Sequence, residues 1–187
     1  MQALLLGLPV RTRTLDELPD VPILPETGDT FEANAAEKAE LVVRLTGCIS
    51  IADDSGIEID ALGGAPGVQS ATFLGPSATD EDRNLWVLRK LRGVAGGLRT
   101  ARYRAVIAVA APDGSVRSFE GTCEGRIAEA PRGEGGFGYD PIFVVPAYGR
   151  TMAELPAEIK NQISHRAKAI ASARGHLEAL VRRAADD

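Results

Sequence analysis

The distribution of apolar and polar residues along the chain predicts an α/β protein. Apolar residues recur with helical spacing in three segments, 31–46, 80–91 and 164–183, and a Ser or Thr that could cap a helix stands at the start of each. Alternating or β-branched runs predict strands at 10–15, 49–54, 57–61, 103–111, 115–128 and 142–145. We expect one α/β domain, because helices with one apolar face need a sheet to pack against.

The helix predicted at 31–46 carries two polar residues on a side that should be covered. Its main apolar face consists of Phe31, Ala35, Ala39 and Val42. Asn34 and Lys38 are four residues apart and share a row with Leu41 and Leu45, where contact with the rest of the protein is expected. A lysine in such a row either extends its ammonium to solvent along its own methylenes or serves a functional site.

The strand predicted at 49–54 ends in two adjacent carboxylates. Side chains alternate between the faces of a strand, so Asp53 and Asp54 should point in opposite directions. A Ser-Gly turn at 55–56 is expected to separate this strand from the alternating run 57–61. Acid at the end of a buried strand is typical of a catalytic or metal site, and at most one of the two carboxylates is expected to act directly.

The remaining segments predict turns, a hairpin and a closing helix. Glycine-rich loops are expected at 63–67 and 133–141, a hairpin turn at Pro112-Asp113-Gly114, and a brief turn capped by Thr151 and Glu154. The last helix is expected to turn these residues towards the core: Ala167, Ile170, Ala171, Leu177, Leu180 and Val181.

Composition and charge narrow the class of protein. A chain of 187 residues, 44% hydrophobic and 25% charged, can bury a core without disulfides. Its net charge of −5 and only nine aromatic residues disfavour binding to nucleic acid, and its apolar N-terminal run is too short to span a membrane. Cys48 and Cys123 fit no zinc spacing, so we expect reduced thiols in a cytoplasmic protein.

Charged residues at the expected loops and helix ends suggest a phosphate site. These residues are Glu26, Lys38, Asp53, Asp54, Asp140, Lys160, His165 and Arg166. Carboxylates can hold Mg²⁺ while cations and a helix N-terminus hold phosphate oxygens, and a carboxylate could also activate water. Each motif also has a simpler interpretation: a turn at Asp-Asp-Ser-Gly, a hairpin loop at 133–141, an N-cap at Ser164, and a plain loop at 26–28.

Five segments, taken in order, resemble a known family. They are TFEANAAEKA (30–39), IADDSG (51–56), GGAPGVQSA (63–71), GGFGYDPIFVVP (135–146) and NQISHRAKA (161–169). In sequence and spacing they are similar to the Ham1-like inosine/xanthosine triphosphate pyrophosphatases. The resemblance covers nearly all of the chain from Leu15 onward, and the fourth and fifth segments are the most specific.

The resemblance implies a fold and an activity. The family fold is an elongated mixed β-sheet flanked by helices, with two lobes and a central cleft, usually in a homodimer. The implied enzyme is a Mg²⁺-dependent nucleoside-triphosphate pyrophosphatase. It hydrolyses non-standard purine nucleoside triphosphates such as ITP, dITP and XTP to the monophosphate and pyrophosphate. Its partner is therefore a small nucleotide.

The resemblance also assigns roles to individual residues. Glu26 and Asp54 are the implied metal carboxylates, with Asp53 in support and Asp54 also the catalytic base. Lys38 is the implied catalytic lysine that faces phosphate. The implied substrate-binding residues are Ser55, Phe137, Gly138, Tyr139, Asp140, Lys160, His165 and Arg166. Cationic groups near purine C6 would donate hydrogen bonds to a keto oxygen and reject the amino group of adenine, which is itself a donor.

One departure from the family pattern lies at the N-terminus. Family members open with a strand and a Thr/Ser-x-Asn-x-x-Lys loop, whereas MQALLLGL resembles the end of the helix that follows this loop. We therefore expect that the single domain, 1–187, is N-terminally truncated. Two alternatives stay open: a nucleotide-binding protein with impaired catalysis, and a Maf-type pyrophosphatase with other base specificity.

Overall fold

The computed structural model describes residue 7, residues 9–18 and residues 26–186, the last three by their backbone alone, and these residues form a mixed α/β fold. The helices are α1 (Phe31–Thr46), α2 (Asp80–Lys90), α3 (Ala157–Ile163) and α4 (His165–Asp186). The strands are β1 (Ser50–Ile59), β2 (Thr100–Ala110), β3 (Val116–Ile127), β4 (Phe143–Val145) and β5 (Arg150–Thr151). The predicted α/β class is confirmed.

The five strands form one sheet in the order β1-β2-β3-β4-β5. Strand β4 pairs antiparallel with β3, where Ile127 lies opposite Phe143, and also with β5, where Val145 lies opposite Arg150. The predicted hairpin between β2 and β3 is confirmed: the Gly114 N–H donates to the Ala111 carbonyl, and Gly114 has a φ of 84°. Strand order thus follows chain order.

Caps define the ends of α1 and α2 as the sequence predicts. The Thr30 hydroxyl accepts a hydrogen bond from the Ala33 N–H, and Gly47, with a φ of 66°, ends α1 in the left-handed conformation. At α2, Thr79 and Asp82 form a reciprocal capping box. These bonds satisfy backbone groups that a helix end leaves without partners.

Two predicted elements differ from the structure, and one helix was not predicted. The expected strand at 10–15 is irregular backbone followed by a 3₁₀ turn, Leu15–Glu17, because Glu17 accepts a hydrogen bond from the Thr14 N–H and so favours a local turn. Strand β1 continues through the expected turn at 55–56, because this keeps Ile57 in the core. Helix α3 was not predicted; its apolar residues are too few for a clear period.

The described residues fall into two compact units by their internal contacts. Unit 1 consists of Met1–Asp54, Ala105–Gly121 and Arg166–Asp187, and unit 2 of Ser55–Arg104 and Thr122–His165. The expected helix end before Gly7 lies outside the described residues. Both cysteines are free, with Cys48 exposed and Cys123 buried. No helix among the described residues is both long enough and apolar enough to cross a membrane.

The core of unit 1 joins one half of β2 to α4. Four residues of the predicted α4 face are buried as expected: Ala167, Ile170, Leu177 and Leu180. Ala171 is exposed, so the prediction for this residue was wrong, and Val181 is half-buried. The buried stripe passes instead through Ala169 and Ala173, which pack against the β2 side chains. Small residues on this stripe let the helix approach the sheet closely.

The core of unit 2 joins α2 to the other strand segments. Ile57, Ile59, Val87, Leu91 and Phe143 are all completely or almost completely buried there. The buried guanidinium of Arg99 donates hydrogen bonds to the carbonyls of Leu91, Ile127 and Ala128. Arg99 therefore ties the end of α2 to the end of β3 through main-chain acceptors.

Candidate active site

Lys38 of α1 is buried between two carboxylates in unit 1. Its Nζ lies 3.0 Å from Glu26 Oε1 and 3.0 Å from Asp54 Oδ1. The Lys38 and Asp54 side chains are only 9% and 10% exposed, whereas that of Glu26 is 48% exposed. The alternative in which Lys38 extends into solvent is therefore wrong, and its covered position on the helix has a specific ionic reason.

Asn34 completes this cluster, although the sequence prediction did not include it in the site. Its Nδ2 donates to Asp54 Oδ2 at 3.0 Å, and its Oδ1 accepts from the Gly28 N–H at 2.7 Å. A Cβ on residue 28 would collide with Ala33 and Asn34, so glycine lets the loop approach α1. Asn34 thus connects the loop that carries Glu26 to Asp54. Its signal in the sequence was its position one turn before Lys38.

The cluster changes the proton affinity of both charged groups. Burial tends to lower the pKa of Lys38, but hydrogen bonds and charge from Asp54 and Glu26 outweigh it, so the pKa of Lys38 is raised. Burial raises the pKa of the Asp54 carboxyl, although the hydrogen bonds from Asn34 and Lys38 oppose this increase. Lys38 is therefore a permanent cation at neutral pH, beside a carboxylate that binds a proton more readily than usual.

Asp53 and Asp54 contact different helices, as their alternation predicts. Asp53 Oδ2 accepts a hydrogen bond from Arg166 Nε of α4 at 2.8 Å, whereas Asp54 faces α1. Both side chains of the Asp53–Arg166 pair are partly buried. Asp53 therefore orients Arg166 and is not aimed at the same cation as Glu26 and Asp54.

The carboxylates of unit 1 fit a magnesium ion that also binds substrate. Within 26–186 and the described residues before them, no three His, Cys, Asp or Glu side chains form a complete metal cluster. Glu26 and Asp54, however, already direct one oxygen each towards a single cationic group. Mg²⁺ is commonly held by one or two carboxylates together with substrate phosphates and water. Two carboxylates meet that requirement.

A second polar cluster lies in unit 2 around Asp140. Asp140 Oδ1 accepts a hydrogen bond from the Tyr103 hydroxyl at 3.1 Å, and Oδ2 accepts from Lys160 Nζ at 3.1 Å. The Tyr103 ring stacks on His165, with centroids 4.7 Å apart and planes at 16°. Tyr103 thus links three of the predicted substrate-binding residues. Its place in an apolar strand pattern gave no sign of this role.

The loop before Asp140 forms a turn with one exposed aromatic ring. The Asp140 N–H donates to the Phe137 carbonyl at 3.2 Å, and Phe137 is 68% exposed. Tyr139 points inward, where its hydroxyl donates to the Ser70 carbonyl at 2.6 Å, and burial raises its pKa. Gly136 has a φ of 87°, and a Cβ there would collide with Asp140 and Lys160.

The predicted residues thus fall into separate groups. Glu26, Lys38 and Asp54 meet in unit 1, which also contains the Asp53–Arg166 pair. The groups in unit 2 are the turn containing Phe137, Gly138 and Tyr139, and the cluster of Asp140, Lys160 and His165. Ser55 follows Asp54 in β1 and is half-buried. Sequence reasoning missed Asn34, Ser70, Tyr103 and Gly136.

Comparison with known proteins gives consistent matches. The model of the Ham1 family matches residues 1–176. The chain is 47% identical over 175 residues to the dITP/XTP pyrophosphatase of Geobacter sulfurreducens, covering 94% of this chain and 88% of that protein. It is 55% identical over 163 residues to the dITP/XTP pyrophosphatase of Symbiobacterium thermophilum, covering 87% and 81%.

Solved structures give the same result for the fold. The Ham1 protein of Staphylococcus aureus superposes with a TM-score of 0.80 at 44% identity, covering 86% of this chain and 82% of that one. A HAM1 protein from Coxiella burnetii superposes with a TM-score of 0.77 at 42% identity, covering 87% and 82%.

Proposed function

The chain belongs to the Ham1 family, and from that membership we propose that it hydrolyses non-standard purine nucleoside triphosphates, such as dITP and XTP, to the monophosphate and pyrophosphate. Relatives about half identical over most of their length are named dITP/XTP pyrophosphatases. The binding-only and Maf-type alternatives have no comparable support. The reaction breaks the anhydride bond between the α and β phosphates, and one water molecule is consumed.

The observation that carries this proposal is the buried Lys38 held between Glu26 and Asp54. A permanent cation supplies charge to triphosphate oxygens, which gain negative charge as the anhydride bond breaks. Asp54 is the proposed base for the attacking water, because it is a buried carboxylate beside the Lys38 ammonium that would face the phosphates. Each Asp54 oxygen can accept more than one hydrogen bond, so the bonds from Asn34 and Lys38 leave capacity for water.

Magnesium dependence is part of the proposal. Glu26 and Asp54 would hold the ion, with Asp53 acting through Arg166 rather than as a direct ligand. When bound, Mg²⁺ would neutralise phosphate charge and polarise the phosphoryl oxygens. Two carboxylates and one ammonium leave the cluster with one net negative charge before any ion or nucleotide binds, which favours a cation there.

Base recognition is assigned to the residues of unit 2. Lys160 can donate a hydrogen bond to a keto oxygen at purine C6, and Asp140 holds its ammonium in place. Adenine presents an amino donor at C6, which would face another donor and leave a buried group without a partner. Phe137 is the proposed stacking surface, with His165 fixed by Tyr103. Tyr139 supports the turn through its buried hydroxyl, which donates to the Ser70 carbonyl.

Two further properties are proposed from family resemblance. We infer that the protein is a cytoplasmic homodimer. Sedimentation equilibrium should give about twice the mass of the 19.7 kDa chain, and a monomer at all micromolar concentrations would contradict the dimer.

The reaction is tested by identifying its products from XTP and dITP in the presence of Mg²⁺. The proposal predicts pyrophosphate and the monophosphate in equal amounts, without inorganic phosphate. Asp54→Asn should reduce kcat at least about 100-fold, the typical contribution of a general base. Its affinity for XMP should stay within a few-fold of the original protein. Release of inorganic phosphate, or nucleotide binding without turnover, would overturn the proposal.

A further inference from the structure

Helix α2 holds both backbone groups of one residue in the exposed turn. The Gly138 N–H donates to Asp80 Oδ2 at 2.7 Å, and Asn84 Nδ2 donates to the Gly138 carbonyl at 3.0 Å. Asp80 and Asn84 are four residues apart, so they lie on one face of the helix. Helix α2 thus holds the turn at Gly138, between Phe137 and Tyr139, through both the N–H and the carbonyl of that residue.

The Asp80 and Asn84 side chains are held in different ways. Asp80 pairs with Arg83 at 3.2 Å, and the capping box of Thr79 defines the first turn of α2. Asn84 is 5% exposed. Burial restricts the Asn84 amide, whereas the half-exposed Asp80 carboxylate is held by its bonds with Arg83 and with the Gly138 N–H.

Packing alone does not account for an amide at position 84. Within the described part of the chain, Asn84 Oδ1 is buried without a hydrogen-bond partner, so burying this side chain leaves one acceptor unsatisfied. A leucine would fill a similar volume without that cost. The benefit that remains is the single hydrogen bond to Gly138.

The hydrogen bonds from α2 to Gly138 determine the position of the Phe137 ring. Gly138 has a φ of 60°, a conformation that other residues rarely adopt, and its neighbour Tyr139 is anchored through its hydroxyl to Ser70. With Gly138 and Tyr139 held, the turn that closes between Phe137 and Asp140 has little freedom. The exposed Phe137 ring is therefore attached to a turn that hydrogen bonds hold in place on the side of Gly138 and Tyr139.

We propose that Asp80 and Asn84 are positioning residues for purine recognition, acting by holding Gly138 so that the Phe137 ring meets the base in one geometry. This inference rests on the proposed function of the turn. Neither residue touches substrate in this account. Stacking of an aromatic ring on the purine stabilises the ground state and the transition state equally. Displacement of the Phe137 ring should therefore raise KM more than it lowers kcat.

The test measures KM and kcat for XTP, together with XMP affinity by calorimetry, in Asn84→Leu and Asn84→Asp. Both substitutions keep the approximate size and remove the donor. We expect KM and the dissociation constant of XMP to rise about tenfold, the loss typical of one hydrogen bond, with kcat changed less than about twofold. Leu85→Ala is the matched control, because Leu85 is an exposed residue of the same helix, next to Asn84 in the sequence. It should leave KM unchanged.

A double mutant separates positioning from general destabilisation. In a Phe137→Ala background, Asn84→Leu should have little further effect on KM, because the ring that it positions is gone. Equal effects of Asn84→Leu with and without Phe137, or a KM within twofold of the original, would overturn the proposal. If the original protein binds XMP without hydrolysing XTP, the proposed activity fails, and the calorimetric effect of Asn84→Leu still decides the positioning role. Absence of both binding and turnover overturns both.

Discussion

At the scale of single residues, the burial of Lys38 requires an explanation that packing cannot give. Moving an ammonium out of water is costly, and two carboxylates at 3.0 Å offset that cost only while both are present. The covered row of α1 could be predicted from residue spacing. The identity of the partners could not, because Glu26, Lys38 and Asp54 come from a loop, a helix and a strand whose contact is a tertiary property.

Replacing Lys38 by Met should destabilise the protein and abolish activity. The substitution leaves Asp54 buried without its cation, for which a loss of about 3 kcal/mol in the free energy of unfolding is expected. Adding Asp54→Asn to Lys38→Met should recover much of that stability but none of the activity. Urea unfolding and pyrophosphate release measure the two effects. A double variant no more stable than Lys38→Met would contradict the ionic explanation.

Removing the Tyr103 hydroxyl should weaken base recognition while the core stays packed. Tyr103→Phe keeps the ring stacked on His165 and loses the bond to Asp140, at a cost of about 1 kcal/mol in stability. We expect a several-fold increase in KM for XTP, measured by steady-state kinetics. Tyr148→Phe is the control, because Tyr148 is exposed. Identical kinetics for both variants would remove Tyr103 from the site.

His176 should make the protein less stable in mild acid. Burial lowers the pKa of His176, helped by Arg117 and Arg183 and opposed by Asp113, and the ring packs beside Phe119. The unfolded chain then binds the proton more readily than the folded protein. The contribution of His176 is therefore present above its ordinary pKa of about 6.5 and is lost as pH falls through the lower folded value. His176→Gln should flatten this decrease, measured by urea unfolding at pH 7.5 and 5.5. An unchanged slope would contradict it.

At the scale of elements, local signals were reliable where side chains bond to their own backbone. The caps at Thr30 and Thr79 and the hairpin at Pro112-Asp113-Gly114 could be read from the sequence, because each depends on residues within four positions. The full length of strand β1 could not be read from the sequence, because its continuation past Gly56 depends on the packing of Ile57 in the core. The hydrogen bond from Asn84 of α2 to Gly138 was not foreseen either, because it joins residues 54 positions apart and depends on tertiary packing.

The cap of α2 should be worth a measurable part of the stability. Thr79→Ala removes the acceptor for the Asp82 N–H, and a loss of about 1 kcal/mol in the free energy of unfolding is expected. Thr79→Ser should retain the bond and most of the stability. Urea unfolding of the two variants checks this directly. Equal losses for Ala and Ser would show that the methyl group, not the hydroxyl, matters.

At the scale of the whole molecule, each compact unit has its own core and its own polar cluster. Unit 1 contains the Lys38 cluster beside the β2–α4 core, and unit 2 contains the Asp140 cluster and the turn held by α2. We propose phosphate binding for the Lys38 cluster of unit 1, and base recognition for the Asp140 cluster and the turn of unit 2. The resemblance of ordered motifs predicted these roles, while composition and periodicity alone indicated only an acidic α/β protein.

The most direct test of the central claim is the rate of pyrophosphate release from dITP, XTP, ATP and GTP under identical conditions with Mg²⁺. The account predicts kcat/KM for dITP and XTP at least about 100-fold above that for ATP, since donors aimed at the purine C6 position leave the amino group of adenine without a partner. A preference over GTP is expected from the family resemblance alone, because guanine has the same keto oxygen at C6 as the predicted substrates. Comparable rates on all four nucleotides, or no release from any of them, would contradict it.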